Sequence, residues 1–189
     1  MKNKPILLVD MDQILVDTVP SWIRQYEILS GDKVSTDQLK IYDFGTTVKY
    51  PELFHGMIDV PGFFYNLPPI PHAVDYFSQL LGNDRYEVIV LTQPPRRADY
   101  AIKEKRDWLQ LYFPNIDLTK IIFTHKKHLV RGDLLFDDKP SHLIEWKKYN
   151  PEGKTATIEY PYNFGTKVDF SFEKETAWIE FYEVINRIF

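Results

Sequence analysis

Two aspartates at the end of an apolar segment are the residues of this chain whose types and spacing most directly indicate chemistry. Asp10 and Asp12 follow the run Pro5-Ile6-Leu7-Leu8-Val9, which is typical of a buried strand in a parallel sheet. Such a strand delivers its last side chains to the edge where open α/β folds bind ligands. Two carboxylates placed together there repel each other and lose water, so a cation such as Mg²⁺ must compensate them. The pair indicates a metal site suited to phosphoryl transfer; a solvated turn with two surface acids is the alternative.

Polar residues also end two other predicted strands. Thr92 closes the run Tyr86-Glu87-Val88-Ile89-Val90-Leu91, and Asp137-Asp138 follow Leu134-Leu135-Phe136. Adjacent parallel strands lie about 4.8 Å apart, so three strand ends can share one site. In such a site one carboxylate attacks phosphorus while a second acid protonates the leaving oxygen and later activates water. Mg²⁺, a lysine, a hydroxyl and backbone N–H groups would hold the phosphoryl oxygens.

The rest of the chain supplies elements that can position these residues. Strands alternate with amphipathic helices, which predicts a three-layer, Rossmann-like α/β fold with a parallel sheet. We expect strands over 5–9, 86–92, 121–124, 134–138 and 155–159, and helices over 18–30, 73–81, 97–112, 141–148 and 178–188. Residues 31–71 are short pieces rich in Phe, Tyr and Pro. We therefore expect a core of residues 1–17 and 70–189, with a small helical cap of residues 18–69 inserted after the first strand.

Local signals mark the ends of two of these helices. Asp17 or Thr18 could cap the helix that begins the cap, and Gly31 stands where a left-handed residue would end it. Pro71 is expected at the first position of the next helix, which Gly82 ends.

Composition narrows the class of protein. The chain has 189 residues, 44% of them apolar, with a net charge of −4 and zero cysteines. This charge gives no electrostatic footprint for a nucleic-acid polymer or an anionic membrane. The sequence contains no signal-peptide pattern and no transmembrane window, and the lack of cysteine fits a cytoplasmic location. A small-molecule ligand is expected, and a homodimer is compatible with the sequence.

The ordered motifs resemble those of the haloacid dehalogenase superfamily of phosphatases. Its first motif, D-x-D-x-x-[LIV]-x-D, is matched by Asp10, Asp12, Leu15 and Asp17. Its strand-terminal Thr is matched by Thr92, and its paired acids by Asp137-Asp138. The resemblance implies that Asp10 is the nucleophile and Asp12 the general acid and base. A response-regulator receiver has its acid pair before the phosphoacceptor, the reverse of the order here.

A narrower resemblance covers most of the chain. The segments 61–71, 104–108 and 132–140 are similar to the 5′(3′)-deoxyribonucleotidases, Mg²⁺-dependent enzymes that dephosphorylate deoxynucleoside monophosphates. This resemblance selects Lys105 as the phosphate-binding lysine, which physical reasoning alone does not choose over Lys103, Lys126 or Lys127.

The strand ends and motifs together predict the remaining site residues. Mg²⁺ is expected on Asp10, the backbone carbonyl of Asp12 and Asp137, with Asp138 orienting the site. Thr92, Lys105 and Gln93 are expected to bind phosphate. The candidates for contact with the rest of the substrate are Phe44, Phe63, Phe64, Tyr65 and Gln13.

The chain departs from the family pattern near the expected substrate. Gln13 stands where the family usually has Gly, Gln93 where a Ser is common, and His125 where an Arg is common. Two other functions remain open at this point: a phosphatase for another small phosphate ester, such as a sugar phosphate, and a non-catalytic phosphate-binding protein on the same fold.

Overall fold

A six-stranded, fully parallel sheet forms the centre of the computed structural model, which describes residues 4–58, 60–95 and 99–189. The strand order is β3-β2-β1-β4-β5-β6. The strands are β1 (Ile6–Val9), β2 (Glu87–Thr92), β3 (Ile121–Phe123), β4 (Leu134–Phe136), β5 (Lys154–Ile158) and β6 (Phe170–Phe172). The first five confirm the sequence prediction to within two residues at either end, and β6 was not predicted.

Helices cover both faces of this sheet. They are α1 (Thr18–Ser30), α2 (Pro51–Met57), α3 (Ala73–Leu81), α4 (Asp99–Tyr112), α5 (Pro140–Tyr149) and α6 (Ala177–Ile188). Alternate residues of β1 face opposite layers, since Val9 belongs to the same apolar cluster as Trp108 and Trp178, whereas Leu8 clusters with Trp146. The three-layer α/β fold expected from the sequence is confirmed. Within the described residues, every helix is too short or too polar to cross a membrane.

The strand order fixes where a ligand can bind. Central β1 lies between β2 and β4, so the chain moves outward from β1 in both directions. The crevice outside the carboxyl ends of such strands is the ligand site of doubly wound folds. Asp10, Thr92 and Asp137 stand at or directly after the ends of these three strands.

The two ends of the segment between β1 and α3 pair with each other. Val16 and Pro69 form an antiparallel bridge. Beside it the Ile70 N–H donates to the Leu15 carbonyl at 2.9 Å, and the Asp17 N–H to the Pro68 carbonyl at 2.8 Å. The division at 18–69 into core and cap stays a prediction.

The bounds of α1 and α3 agree with the prediction, but the local signals expected at their starts do not. Gly31, at φ 70°, ends α1 in the left-handed conformation, and Gly82 follows the last residue of α3. Neither predicted residue caps α1 with its own side chain; the Gln13 side chain does so instead. Pro71 is not at the first position of α3, because His72 at φ 63° precedes a helix that begins at Ala73.

Candidate active site

Asp10 is buried at the tip of β1 and is held in one orientation. Its N–H donates to the Phe136 carbonyl at 2.8 Å, which extends the pairing of β1 with β4. Its Oδ1 accepts from the Met11 N–H at 2.8 Å and lies 2.7 Å from Lys127 Nζ. Burial, with the nearby charges of Asp137 and Asp12, raises the pKa of Asp10 to about 6 against the opposing effect of Lys127.

A tight turn after β1 positions Asp12. The N–H groups of Leu15 and Val16 donate to the Met11 carbonyl at 2.8 and 3.0 Å, and the Gln13 N–H donates to the Val16 carbonyl at 2.7 Å. Asp12 Oδ2 accepts a hydrogen bond from Lys105. Asp12 Oδ1 is buried and has no hydrogen-bond partner among the described residues. One oxygen of this carboxylate is therefore fixed, and the other is left for a ligand.

Lys105 brings three of the predicted residues together. Its side chain is fully buried on α4, and its Nζ donates to Thr92 Oγ1 at 3.0 Å, to the Gln93 carbonyl at 3.2 Å and to Asp12. The Phe64 ring centroid lies 5.0 Å from the same Nζ. A buried ammonium with this set of neighbours is well placed to bind an anion at the edge of the sheet.

Lys127 is a second buried lysine, which the sequence interpretation did not select. Its Nζ lies 2.7 Å from Asp10 Oδ1 and 2.6 Å from Asp137 Oδ2. Burial favours the neutral amine, but the two carboxylates hold the pKa of Lys127 well above its usual range. A signal did exist, because Lys127 follows the end of β3 by only four residues and so belongs to the same sheet edge.

The paired acids after β4 have different surroundings. One carboxylate oxygen each from Asp10, Asp137 and Asp138 lie within 4.8 Å of one another. Asp137 is surrounded by donors: Lys127 Nζ, the Lys139 N–H at 2.9 Å and His142 Nδ1 at 3.2 Å. Burial would raise the pKa of Asp137, but Lys127 and His142 hold it well below its usual range.

Asp138 is less fully bonded than its neighbour. Its Oδ2 accepts from the Tyr162 hydroxyl at 2.6 Å, while its Oδ1 is buried without a partner among the described residues. Burial, together with the charges of Asp137 and Asp10, raises the pKa of Asp138 well above its usual range. The free oxygen and the raised pKa are the properties expected of a carboxylate that ligates a cation.

His142 connects the Asp137 carboxylate to the end of β2. Its Nδ1 faces Asp137, and its Nε2 lies 3.1 Å from Gln93 Oε1. The sequence interpretation treated this histidine only as part of a helix. Local sequence does not predict that a side chain of α5 contacts both Asp137 and Gln93, because this contact depends on how α5 packs against the sheet.

A cavity of about 360 Å³ is lined at one end by Asp10, Asp12 and Asp138. Phe44 and Phe64 line it, as do residues that the sequence did not single out: Trp22, Tyr42, Phe54 and Ile58. Phe63 and Tyr65 do not line this cavity, contrary to expectation. Phe63 stacks on Trp22 with ring centroids 6.1 Å apart, and Tyr65 lies in a one-turn helix that leaves it 42% exposed.

Comparison with known proteins gives related matches in sequence and structure. A model of the family described as 5′ nucleotidase, deoxy (Pyrimidine), cytosolic type C protein matches residues 4–189. The chain is 32% identical over 149 residues to the 5′(3′)-deoxyribonucleotidase of Clostridium acetobutylicum, covering 77% of this chain and 79% of the relative. It is 28% identical over 141 residues to the human mitochondrial 5′(3′)-deoxyribonucleotidase, covering 71% of this chain and 62% of the relative.

At the level of fold, the chain is similar to the HAD-hydrolase YfnB of Bacillus subtilis in a magnesium-bound crystal structure. The TM-score is 0.58 at 13% identity, and the match covers 98% of this chain and 100% of the other.

Proposed function

Because the chain belongs to the cytosolic type C family of deoxy (pyrimidine) 5′-nucleotidases, we propose that it dephosphorylates deoxyribonucleoside monophosphates. It is thus a phosphoric monoester hydrolase of the haloacid dehalogenase superfamily. The proposed reaction passes through a phosphorylated Asp10, with Mg²⁺ as cofactor. The observation that carries the proposal is the convergence of Asp10, Asp12, Lys105 and Asp138 on one cavity. A purely phosphate-binding protein has no need of a nucleophile beside an acid.

The first half of the reaction forms a bond from Asp10 to phosphorus. The Asp10 carboxylate is anchored through Oδ1, which leaves Oδ2 as the attacking atom. As the new P–O bond forms, the ester P–O bond breaks, and the leaving oxygen takes a proton from Asp12. In the second half, Asp12 accepts a proton from water, the water oxygen attacks phosphorus, and the bond from Asp10 to phosphorus breaks. Inorganic phosphate leaves and both carboxyl groups return to their starting states.

Two lysines limit the repulsion between the phosphate and the carboxylates. Lys105 and the Thr92 hydroxyl, 3.0 Å apart, would contact the phosphoryl oxygens beside Asp12. Lys127 lies against Asp10 itself, so it favours the ionised form in which this carboxylate is a nucleophile. The buried setting strengthens both effects, because less water is present to screen them.

The carboxylate cluster fits a hard divalent cation. Oxygen-only donors and a buried, unpartnered oxygen on Asp138 are suited to Mg²⁺. We propose Asp10, Asp138 and the backbone carbonyl of Asp12 as its ligands. Asp137, which is bonded to Lys127, would orient the site without binding the cation directly. This exchanges the roles that the sequence interpretation gave to Asp137 and Asp138. When bound, the cation neutralises and orients the phosphoryl oxygens.

The substrate class is supported by the family and by the cavity. Relatives that match most of this chain are 5′(3′)-deoxyribonucleotidases. A volume of about 360 Å³ lies in the range of small-ligand pockets, about 300–1,000 Å³. Phe44 and Phe64 in its wall provide apolar surface for a base, and stacking of a base on an aromatic ring contributes about 1–3 kcal/mol.

The proposed activity is tested by phosphate release from matched substrates. Deoxyribonucleoside monophosphates, the corresponding ribonucleotides and sugar phosphates are each assayed with Mg²⁺ and with EDTA. We expect the highest kcat/KM for the deoxyribonucleotides and no turnover in EDTA. Higher kcat/KM for sugar phosphates would contradict the substrate assignment. The protein would then be a phosphatase that acts on another small phosphate ester.

The ligand assignment is tested by titration of Mg²⁺ into two variants. Asp138→Asn should abolish calorimetric binding of Mg²⁺, whereas Asp137→Asn should weaken it by about 10- to 100-fold, as is typical for residues that orient a ligand. The opposite ranking would show that Asp137 is the direct ligand.

A further inference from the structure

Gln13 occupies a conformation that a side chain rarely adopts. Its φ is 57°, in the left-handed region that costs a non-glycine residue about 1–2 kcal/mol. Three hydrogen bonds to its side chain offset this cost. Gln13 Oε1 accepts from the Thr18 N–H at 2.6 Å, from Thr18 Oγ1 at 2.9 Å and from the Val19 N–H at 3.1 Å.

These bonds fix which end of the amide is available to a ligand. Because Oε1 is used at the start of α1 by two backbone donors, the amide cannot rotate by half a turn without losing them. Its Nε2 is left as the other end, and it is buried without a hydrogen-bond partner among the described residues. Gln13 is 3% exposed and lines the cavity, so it presents a donor and no acceptor there.

Trp22 adds a second group of the same kind. It lines the same cavity, and its Nε1 is likewise buried with no hydrogen-bond partner in the described part of the chain. An indole N–H can only donate. A buried donor without a partner costs about 1–3 kcal/mol, and a ligand oxygen that reaches it recovers this energy.

We propose that Gln13 and Trp22 determine specificity by donating hydrogen bonds to oxygen acceptors on the leaving group. The leaving group is then one with its own oxygen acceptors, such as the hydroxyl or ring oxygen of a sugar or the carbonyl oxygen of a base. The inference rests on the proposed function, since it concerns the part of the substrate beyond the phosphate.

Two substrates separate this role from a structural one. A deoxynucleoside 5′-monophosphate carries such acceptors, whereas phenyl phosphate carries none beyond its phosphate ester. Gln13→Met removes the amide donor at similar length, together with the acceptor at the start of α1. Trp22→Phe removes only the indole N–H and keeps an aromatic ring. Gln13→Gly removes the whole side chain at a φ that glycine adopts freely. Circular dichroism below the melting transition verifies that each variant is folded.

We expect each variant to lose at least about three- to tenfold in kcat/KM on the nucleotide, mainly through KM, because a neutral hydrogen bond to the leaving group is lost. On phenyl phosphate the change for Trp22→Phe should stay within about twofold, and the Gln13 variants should lose at least about threefold less than they do on the nucleotide. Equal losses on both substrates would overturn the inference, because Gln13 would then act only by shaping the turn that holds Asp12. Unchanged kinetics on both would overturn it as well.

If the wild-type protein hydrolyses neither the nucleotide nor phenyl phosphate, this result would overturn the proposed function and not the inference about Gln13 and Trp22. In that case calorimetry measures the affinity of the wild-type protein and of the same variants for the nucleotide. Equal affinities would overturn the inference that Gln13 and Trp22 donate hydrogen bonds to it.

Discussion

The positive charge of Lys127 lies between the carboxylates of Asp10 and Asp137 and reduces the repulsion between them. Its Nζ is within 2.7 Å of Asp10 and within 2.6 Å of Asp137, and all three side chains are buried. Removing one partner of a buried ion pair leaves a charge that neither water nor protein stabilises. The lysine is therefore expected to stabilise the fold as well as to support the nucleophile.

Replacement of this lysine should reduce stability strongly. Lys127→Met is expected to lower the free energy of unfolding in EDTA by about 3–5 kcal/mol, measured by urea denaturation at pH 7.5. Lys126→Met is the matched control, because Lys126 is exposed and should change stability by no more than about 0.5 kcal/mol. Equal effects of the two substitutions would contradict the role given to Lys127.

Binding of Mg²⁺ should depend on the protonation of Asp10. A raised pKa of about 6 means that a proton competes with the cation below this pH in the metal-free protein. We expect the affinity for Mg²⁺, measured by calorimetry, to fall by at least about tenfold per pH unit below about pH 6, because the carboxylate ligands must lose their protons to bind the cation. Constant affinity down to pH 5 would contradict the assignment of Asp10 as a ligand.

The site could be predicted from sequence wherever a residue ends a strand or directly follows one. Asp10, Thr92 and Asp137 do so, because strand order alone brings their positions to one edge. Lys127 and His142 could not be selected in this way. They reach the edge with long side chains from the turn after β3 and from α5, and the position of those elements depends on packing across the whole sheet.

At the scale of elements, periodicity predicted the long helices and the central strands. The edge strand β6 has no clear sequence pattern, because it contains only three residues, Phe170–Phe172, and pairs only with β5. The start of α3 at Ala73 agrees with the predicted range, but Pro71 is not its first residue, because the left-handed His72 separates Pro71 from the helix. Short elements and left-handed non-glycine residues depend on tertiary contacts that local sequence does not report.

The contact between α5 and the loop before β5 has no space for an added methyl group. A Cβ on Gly153 would lie 2.8 Å from Trp146 Cζ3, and Trp146 is fully buried with its Nε1 bonded to the Val130 carbonyl at 2.9 Å. We expect Gly153→Ala to lower the free energy of unfolding by about 1–3 kcal/mol, measured by urea denaturation.

Gly82→Ala is the control for this substitution. Its Cβ would meet the Ser78 carbonyl oxygen at 3.6 Å, an ordinary contact, and Gly82 has φ −82°. It should be neutral or slightly stabilising. A loss as large as that of Gly153→Ala would contradict the packing argument.

At the scale of the whole molecule, α4 connects residues 62–67 to the edge of the sheet that carries Asp10 and Thr92. Glu104 accepts from the N–H groups of Gly62 and Phe64 at 2.5 and 3.1 Å, and Trp108 Nε1 donates to the Leu67 carbonyl at 2.8 Å. The same helix carries Lys105, whose Nζ lies 5.0 Å from the Phe64 ring centroid. One helix therefore positions both Lys105 and an aromatic wall of the cavity.

Loosening this connection should affect substrate binding more than the chemical step. Glu104→Ala is expected to raise KM for a deoxyribonucleotide by about three- to tenfold with a smaller change in kcat, because two hydrogen bonds that orient Phe64 are lost. Asp107→Ala, which removes only a surface ion pair with Lys103, should leave both constants within about twofold. A reduction of kcat alone by Glu104→Ala would contradict this role.

The central claim is that phosphorus becomes bonded to Asp10 during turnover. The most direct measurement is rapid acid quenching of the wild-type protein with a deoxynucleoside monophosphate and Mg²⁺, followed by mass spectrometry of the peptide that contains Asp10. We predict an added phosphoryl group on Asp10 that appears and decays at rates consistent with turnover and is absent from Asp10→Asn, which should also lose several orders of magnitude in kcat. Rapid product formation with no label on Asp10, or near-normal turnover by Asp10→Asn, would contradict the mechanism.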